Sequence, residues 1–217
     1  PAALVETRAV GTAEQVEAGD LRLRVVRVDR VGRRREVVAV VAALLVQVDV
    51  HLGEEVERDL EAAARLIVKS AYVTSGQRCT CSRRLIVKSG EDGDKVVEAV
   101  AQLIDRLMVG MPDSQPQPFM GPVISARAAE AVLSSQSDWL RAGGVALREA
   151  RRLDIGAAFV SPGLIDVTAI SDRKDEEVFG PLLQVIRVSD FEAAIEEANN
   201  TRFGLAAGLI SDDPALF

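Results

Sequence analysis

"SAYVTSGQRCTCSRRLIVKS", residues 70–89, contains both cysteines of the chain, Cys79 and Cys81, two positions apart and close to several arginines. Its first residues continue an apolar helical pattern, and Ser75-Gly76 interrupts that pattern. The last residues predict a short buried strand over Leu85 to Val87. The segment therefore predicts helix, loop and strand, with the thiol of Cys79 on the loop, where catalytic groups are often displayed.

Helices are predicted on both sides of this segment. Asp59 is predicted to cap the preceding helix, and Gly93-Asp94 to open the following one, which should end near Gly110 and Pro112. The apolar positions of each helix fall on one face. They are Leu60, Ala63, Ala64, Ile67 and Ala71 in the first helix, and Val97, Val100, Leu103, Ile104 and Leu107 in the second.

Further elements follow an irregular, turn-rich stretch at residues 111–122. Ser125 is a candidate cap for a helix that runs to Gly143-Gly144, and Ser189 and Glu192 form a candidate capping box for another. Strands are predicted within residues 145–149, 158–168, 182–189 and 204–211, and a helix is expected to begin within residues 212–217. Strands that alternate with helices indicate an α/β fold with a mainly parallel sheet and flanking helices.

Composition narrows the class of protein. The formal net charge is −7 over 217 residues, so a nucleic-acid partner is not expected. No window approaches the roughly 18 consecutive apolar residues of a membrane helix, and the first residues lack the pattern of a signal peptide. We therefore expect a cytoplasmic protein with no membrane partner, in which both cysteines are thiols.

Composition also changes near residue 50. Residues 1–50 contain 14 Val and 8 Arg but no Lys, Ile, Ser, Asn, Phe, Tyr or Trp. Residues 21–50 alternate in places, as edge strands do. We accordingly divide the chain into a Val/Arg-rich segment of uncertain fold, 1–50, and a domain over 51–217.

The two cysteines allow several interpretations. A structural zinc site needs about four Cys or His ligands, and the chain offers only His51 beside them, so no metal site is predicted. A disulfide between residues two apart would be strained. Two buried, packed thiols remain a plain alternative. Nearby Arg78, Arg83 and Arg84 favour instead a reactive thiolate, although the chain offers no clear histidine partner for it.

Three ordered motifs resemble the aldehyde dehydrogenase superfamily. "GQRCTCSRRLIV" (residues 76–87) resembles its Gly-Gln/Glu-x-Cys nucleophile segment. "EEVFGPLLQV" (176–185) resembles its Glu-x-Phe-Gly-Pro motif, and "ANNTRFGLAAGLIS" (198–211) its Asn-x-x-x-Tyr/Phe-Gly-Leu stretch. The wording of the first segment is most similar to succinylglutamate-semialdehyde dehydrogenases of arginine degradation. The resemblance implies the aldehyde dehydrogenase catalytic domain as the fold of residues 51–217.

The resemblance also implies roles for individual residues. Cys79 corresponds to the nucleophile and Cys81 to a neighbouring packing residue. Glu177 corresponds to the carboxylate that binds the nicotinamide ribose, and Phe179 to the aromatic beside the nicotinamide, with NAD as cofactor. The implied reaction oxidises a small aldehyde, N-succinylglutamate 5-semialdehyde, to its acid through a cysteine thioester. Our own hypothesis is that Arg78 binds a substrate carboxylate.

The sequence departs from the family pattern in ways that limit the expected activity. Leu45 stands where the family's general-base glutamate is expected, and no Glu-x-Gly-Gly occurs in the chain. We expect the catalytic domain to be incomplete at both ends, without the cofactor-binding domain and without the strand that the homo-oligomeric family uses in assembly. The isolated chain is then expected to lack turnover. The alternative is a non-enzymatic remnant that associates with a full-length relative.

Overall fold

A computed structural model describes residues 22–27, 43–46 and 56–211, with side chains described over residues 60–210. Within these ranges one sheet contains seven strands in the order β1-β7-β2-β3-β6-β5-β4. The strands are β1 (Arg22–Arg27), β2 (Ala43–Val46), β3 (Arg84–Lys88), β4 (Val145–Arg148), β5 (Gly163–Asp166), β6 (Leu182–Val188) and β7 (Ala206–Ser211). The five inner strands run parallel, and β1 and β4 pair antiparallel at the two edges.

Helices cover both faces of the sheet. They are α1 (Val56–Tyr72), α2 (Glu91–Asp105), α3 (Ala126–Arg141) and α4 (Phe191–Asn199). Alternate residues of β3 point to opposite faces. Leu85 and Val87 pack in the core with α1 and α2, whereas Ile86 packs in the core with α3 and α4. The predicted α/β fold with a mainly parallel sheet and flanking helices is confirmed.

The predicted helix faces agree with the structure, but several predicted ends are wrong. Asp59 lies inside α1, which begins at Val56. Helix α2 begins at Glu91 and ends at Asp105, before Gly110. Gly93 lies in the first turn of α2, where the backbone leaves no room for a side chain, since a Cβ there would come 2.0 Å from the Lys88 carbonyl oxygen.

The caps of the later helices give one confirmation and one correction. The Ser125 hydroxyl accepts a hydrogen bond from the Ala128 amide at 3.1 Å, as predicted. For α4 the cap is Asp190, whose carboxylate accepts from the Ala193 amide at 2.9 Å. The Ser189 hydroxyl hydrogen-bonds to the Asp190 carboxylate instead, so the Ser189/Glu192 capping box is wrong by one position.

Two strands come from the Val/Arg-rich segment. β1 forms an edge of the sheet, as the alternating pattern predicts, but β2 lies inside it, between β3 and β7. The register places Leu45 beside Ile86 and Leu209. The predicted helix at residues 212–217 and His51 lie outside the described residues, and the boundary at residue 50 stays a prediction. No described helix combines the length and apolar character needed to cross a membrane.

Candidate active site

The three motif segments meet at one edge of the sheet. The cysteine loop leads into β3, the segment around Phe179 leads into β6, and residues 200–205 lead into β7. Because β3, β6 and β7 are all members of the parallel set, these segments lie at the same end of the sheet. This is the end at which the parallel strands begin, and we call it the amino edge. The fold thereby brings the first motif, which ends at residue 87, together with the other two, which begin at residues 176 and 198.

The chain enters the cysteine loop through an unusual backbone. Thr74, Ser75 and Gly76 all have positive φ, at 51°, 56° and 67°. Left-handed geometry costs a residue other than glycine about 1–2 kcal/mol. A Cβ on Gly76 would lie 2.3 Å from the Gly180 carbonyl oxygen. The loop is therefore strained and packs directly against the backbone that precedes β6.

Side-chain hydrogen bonds hold this loop in place. The Ser75 hydroxyl donates to the Gly121 carbonyl at 2.8 Å. The Gln77 amide donates to the Phe179 carbonyl at 3.1 Å and accepts from the Ile124 amide at 2.7 Å. The sequence indicates Gln77 only as part of a motif, because the bridge that it forms between three segments depends on contacts far apart in the sequence.

The two cysteines lie in different surroundings. Cys79 is exposed, in a turn closed by a hydrogen bond of 3.1 Å from the Cys81 amide to the Arg78 carbonyl. Within the described part of the chain the Cys79 amide donates no hydrogen bond, so it is free to stabilise an oxyanion. Cys81 is buried, with its sulfur 3.6 Å from the Val73 carbonyl oxygen. The predicted packing position of Cys81 agrees with this geometry.

Glu177 and Phe179 contact Arg83, a buried arginine that the sequence indicates only as one of three positive charges near Cys79. The Arg83 Nε lies 3.2 Å from the Glu177 Oε1, and the guanidinium lies 5.0 Å from the centre of the Phe179 ring. Both contacts leave their partners accessible, because the Glu177 side chain is 33% exposed and Phe179 is 43% exposed.

A cavity of about 200 Å³ opens beside Cys79. It is lined by residues from all three segments, including Arg83, Glu177, Thr201 and Phe203. Of the predicted site residues, Cys79 and Glu177 line this cavity, whereas Arg78 and Phe179 do not. Arg78 is exposed.

Two carboxylates that sequence reasoning missed hold the walls of this cavity. Glu197 bridges Arg84 and Arg173, at 3.3 Å and 2.7 Å. Burial lowers the pKa of Arg84, and the Glu197 charge opposes that shift. Asp175 accepts from the Thr201 hydroxyl and, at 2.7 Å, from the Arg202 amide. Glu197, in α4, therefore joins that helix to β3 and to the segment before β6, whereas Asp175 connects the segment before β6 to the chain between α4 and β7.

Asp175 remains charged in this position. Partial burial acts to raise its pKa, but the hydrogen bonds from Thr201 and the Arg202 amide outweigh burial and lower the pKa below its ordinary value. A persistent carboxylate keeps its acceptor role at neutral pH.

Sequence comparison identifies this arrangement. The model of the aldehyde dehydrogenase family matches residues 55–216. The chain belongs to the aldehyde dehydrogenase family. The chain is 58% identical over 159 residues to N-succinylglutamate 5-semialdehyde dehydrogenase 1 of Caulobacter vibrioides, a match that covers 73% of this chain and 34% of that protein. The enzyme named N-succinylglutamate 5-semialdehyde dehydrogenase from Ectopseudomonas mendocina is 52% identical, with 73% and 33% covered.

Solved structures agree with the family assignment. The Thermus 1-pyrroline-5-carboxylate dehydrogenase with bound NAD is 32% identical with a TM-score of 0.66, over 80% of this chain and 32% of that one. The NADP-dependent glyceraldehyde-3-phosphate dehydrogenase of Bacillus halodurans, complexed with NADP, is 29% identical with a TM-score of 0.67, over 82% and 35%. Our chain spans about a third of the length of each of these aldehyde dehydrogenases.

The family and these neighbours support a nicotinamide cofactor. The residues before β6 fit one end of such a molecule. A partly exposed carboxylate, Glu177, can accept hydrogen bonds from ribose hydroxyls, and the exposed ring of Phe179 offers a flat apolar surface. These two side chains, an acceptor and an apolar ring, therefore suit the sugar and ring of a nicotinamide nucleotide.

Proposed function

We propose that this chain supplies the nucleophile-bearing part of an NAD(P)-dependent semialdehyde dehydrogenase whose substrate is N-succinylglutamate 5-semialdehyde. The observation that carries the proposal is the strained loop that exposes Cys79 beside a cavity lined by all three family motifs. Support for the substrate comes from the relatives named for this activity at 58% and 52% identity.

In the proposed reaction the Cys79 thiolate adds to the aldehyde carbon and forms a sulfur–carbon bond, which gives a thiohemiacetal. The free Cys79 amide stabilises the negative charge on the former carbonyl oxygen. The chemistry that a bound nicotinamide supplies is acceptance of the hydride from that carbon. Cys79 then carries a thioester, which water hydrolyses to release the acid and restore the thiol.

The other predicted residues have supporting roles in this proposal. Glu177 holds the ribose and Phe179 lies beside the nicotinamide ring. Arg78 attracts a carboxylate of the substrate from its exposed position at the entrance to the turn. Because Arg78 does not line the cavity, it acts on the distant end of a long dicarboxylate substrate.

A second candidate function is a chain that acylates but does not turn over by itself, and that acts as a partner of a full-length relative. The observation that favours it is Leu45 at the position expected for the general base, together with the lack of a Glu-x-Gly-Gly sequence in this chain. Without an activated water, the thioester on Cys79 would persist.

One experiment tests the nucleophile and separates the two candidates. The chain is treated with p-nitrophenyl acetate and read by intact mass and peptide mapping. We expect acylation of Cys79, its loss in Cys79→Ala, and its retention in the matched control Cys81→Ala. An adduct that persists for hours favours the second candidate, and one that hydrolyses within minutes favours the first. Equal, slow modification of both cysteines would contradict the proposed nucleophile.

The substrate class is tested by protection. N-Succinylglutamate, the acid product, is expected to shield Cys79 from iodoacetamide in the native chain but to shield it less in Arg78→Gln. The variant Arg65→Gln, which alters an exposed arginine on α1, is the control and should be protected as the native chain is. Equal protection by acetate at the same concentration would exclude recognition of the dicarboxylate.

A further inference from the structure

Arg83 connects the cysteine turn to the segment that carries Glu177 and Phe179. Its side chain is 7% exposed. The Nη2 donates to the Arg78 carbonyl at 3.1 Å, the Nε lies 3.2 Å from Glu177, and the guanidinium lies over the Phe179 ring. We infer that Arg83 is a positioning residue, which sets the placement of the Cys79 thiol relative to the cofactor-contacting side chains. This inference rests on the proposed function.

The Arg78 carbonyl is the point through which Arg83 acts on Cys79. That oxygen also accepts the Cys81 amide hydrogen bond that closes the turn. The guanidinium therefore stabilises the turn from its buried side, while Cys79 stays exposed on the other. The planar guanidinium makes both contacts from separate nitrogens whose donors have fixed directions, whereas a lysine ammonium has rotatable donors on a single atom.

A comparison with Arg84 separates this role from ordinary structural support. Arg84 points to the opposite face of β3, where it donates to the carbonyls of Glu197 and Ala198 and pairs with the Glu197 carboxylate. The Arg83 Nη1 is buried and has no hydrogen-bond partner among the described residues. A buried donor without a partner destabilises the folded state, and apolar replacement of buried ionic groups is often neutral or stabilising.

Part of the Arg83 guanidinium therefore stays unpaired, whereas the side-chain contacts that it makes all lead to the proposed site. Displacement of a reacting group by about 1 Å can cost about a hundredfold in rate. A side chain that holds the nucleophile turn and the Glu177–Phe179 segment together prevents such displacement.

The test compares a reaction that depends on geometry with one that does not. Acylation by p-nitrophenyl acetate needs the Cys79 thiol and the oxyanion donor in register, whereas alkylation by iodoacetamide needs only an accessible thiolate. In Arg83→Met we expect the ratio of the acylation rate to the alkylation rate of Cys79 to fall about tenfold or more, because a change in the amount of thiolate affects both rates alike, and we expect Cys81 to stay protected. Arg83→Lys should recover part of the acylation rate, and Arg65→Met should behave as the native chain does.

Hydrogen exchange provides a second readout that needs no chemistry at Cys79. Loss of Arg83 should speed exchange at the Cys81 amide, which shares its acceptor with Arg83. Exchange at the Ile86 amide in β3 should not change. If Cys81 becomes reactive in Arg83→Met, that variant is unfolded. The comparison of acylation with alkylation and the hydrogen-exchange measurement are then made on Arg83→Lys.

The outcomes separate this inference from the proposed function. Lack of selective acylation at Cys79 in the native chain would remove the proposed function, and the exchange measurement would then decide the role of Arg83 alone. Equal loss of acylation and alkylation in a folded variant, or unchanged exchange at Cys81, would overturn the positioning role.

Discussion

The amino edge of the parallel sheet and the opposite end, the carboxyl edge where the parallel strands finish, differ in how completely their charged side chains are partnered. At the carboxyl edge, Arg187 pairs with Asp166 at 2.7 Å and with Asp94 at 2.6 Å. These contacts join β5, β6 and α2, and both carboxylates have a defined partner. At the amino edge, the Arg83 guanidinium keeps an unpartnered donor within the described structure.

The amino and carboxyl edges also differ in backbone geometry. Both described residues other than glycine with positive φ, Thr74 and Ser75, lie at the amino edge. Strain and unsatisfied donors persist only where the surroundings enforce them, and they concentrate at functional sites. The amino edge therefore combines its ion pairs with a strained backbone and an unpartnered donor beside the cysteine turn, a combination that the described part of the carboxyl edge does not show.

This difference also shows the limit of reasoning from fold alone. Ligands of open α/β sheets usually bind outside the carboxyl ends of the strands. Here the candidate site lies at the amino ends of β3, β6 and β7, beside Cys79. Its position follows from the particular side chains, which the general rule does not take into account.

The largest expected effect comes from the close approach of the Gly76 and Gly180 backbones at the amino edge. Gly76→Ala adds a Cβ 2.3 Å from the Gly180 carbonyl oxygen at a residue with φ of 67°. Left-handed strain and overpacking together should lower the free energy of unfolding by about 3 kcal/mol, measured by urea denaturation. Selective acylation of Cys79 should be lost as well.

Gly143→Ala is the matched control for this change. Gly143 has φ of 102°, but a Cβ there would meet nothing within 4 Å. It should cost only the backbone strain, about 1–2 kcal/mol, and leave acylation intact. Equal destabilisation by the two variants would mean that the approach of Gly76 to Gly180 is not what stabilises the site.

Sequence alone predicted the layers of the fold and the order of the motifs. Helix faces follow from local periodicity, so Ala63, Ile67 and Val100 were placed correctly in the core. Helix ends are harder to predict because adjacent residues compete for the same capping position. Ser189 and Asp190 can both cap α4, and only the backbone geometry selects Asp190.

The supporting residues of the site could not be predicted, for a different physical reason. Neighbouring residues of a strand point to opposite faces, so "RR" at Arg83-Arg84 shows that one arginine faces each way. Which one faces Glu177 depends on the pairing of β3 with β6, about a hundred residues away. Asp175 likewise acts through Thr201 and Arg202, which only the folded chain brings to it.

A smaller effect is expected at the carboxyl edge, where a substitution should change the free energy of unfolding but not the acylation of Cys79. Partial burial acts to raise the pKa of Asp166, but hydrogen bonds from Thr168 and Arg187 outweigh it and lower that pKa. Asp166→Asn should reduce the free energy of unfolding by about 1 kcal/mol at pH 7, with no change in acylation of Cys79.

The pH dependence of this difference follows from the sign of the shift. A carboxylate whose pKa is lower in the folded state adds stability above its unfolded pKa of about 3.9, and that stability is lost as the pH falls toward the folded pKa. The gap between the native chain and Asp166→Asn should therefore be constant from pH 5 to 7 and shrink below about pH 4. A gap independent of pH would show that the lost charge is not responsible.

The smallest expected effect has the opposite sign, and it tests whether strain is stored at the amino edge at all. Thr74→Gly removes a β-branched residue from a left-handed backbone with φ of 51°, which relieves about 1–2 kcal/mol. Glycine also lowers the free energy of unfolding by about 0.4–1 kcal/mol, because it increases the conformational freedom of the unfolded chain. A net gain of about 0.5 kcal/mol in the free energy of unfolding is expected, together with slower acylation of Cys79 because the loop is less constrained. Thr80→Gly, an exposed threonine in the same loop without positive φ, is the control and should only destabilise. If both variants lower stability equally, Thr74 stores no strain, and the two edges of the sheet differ in their hydrogen bonding alone.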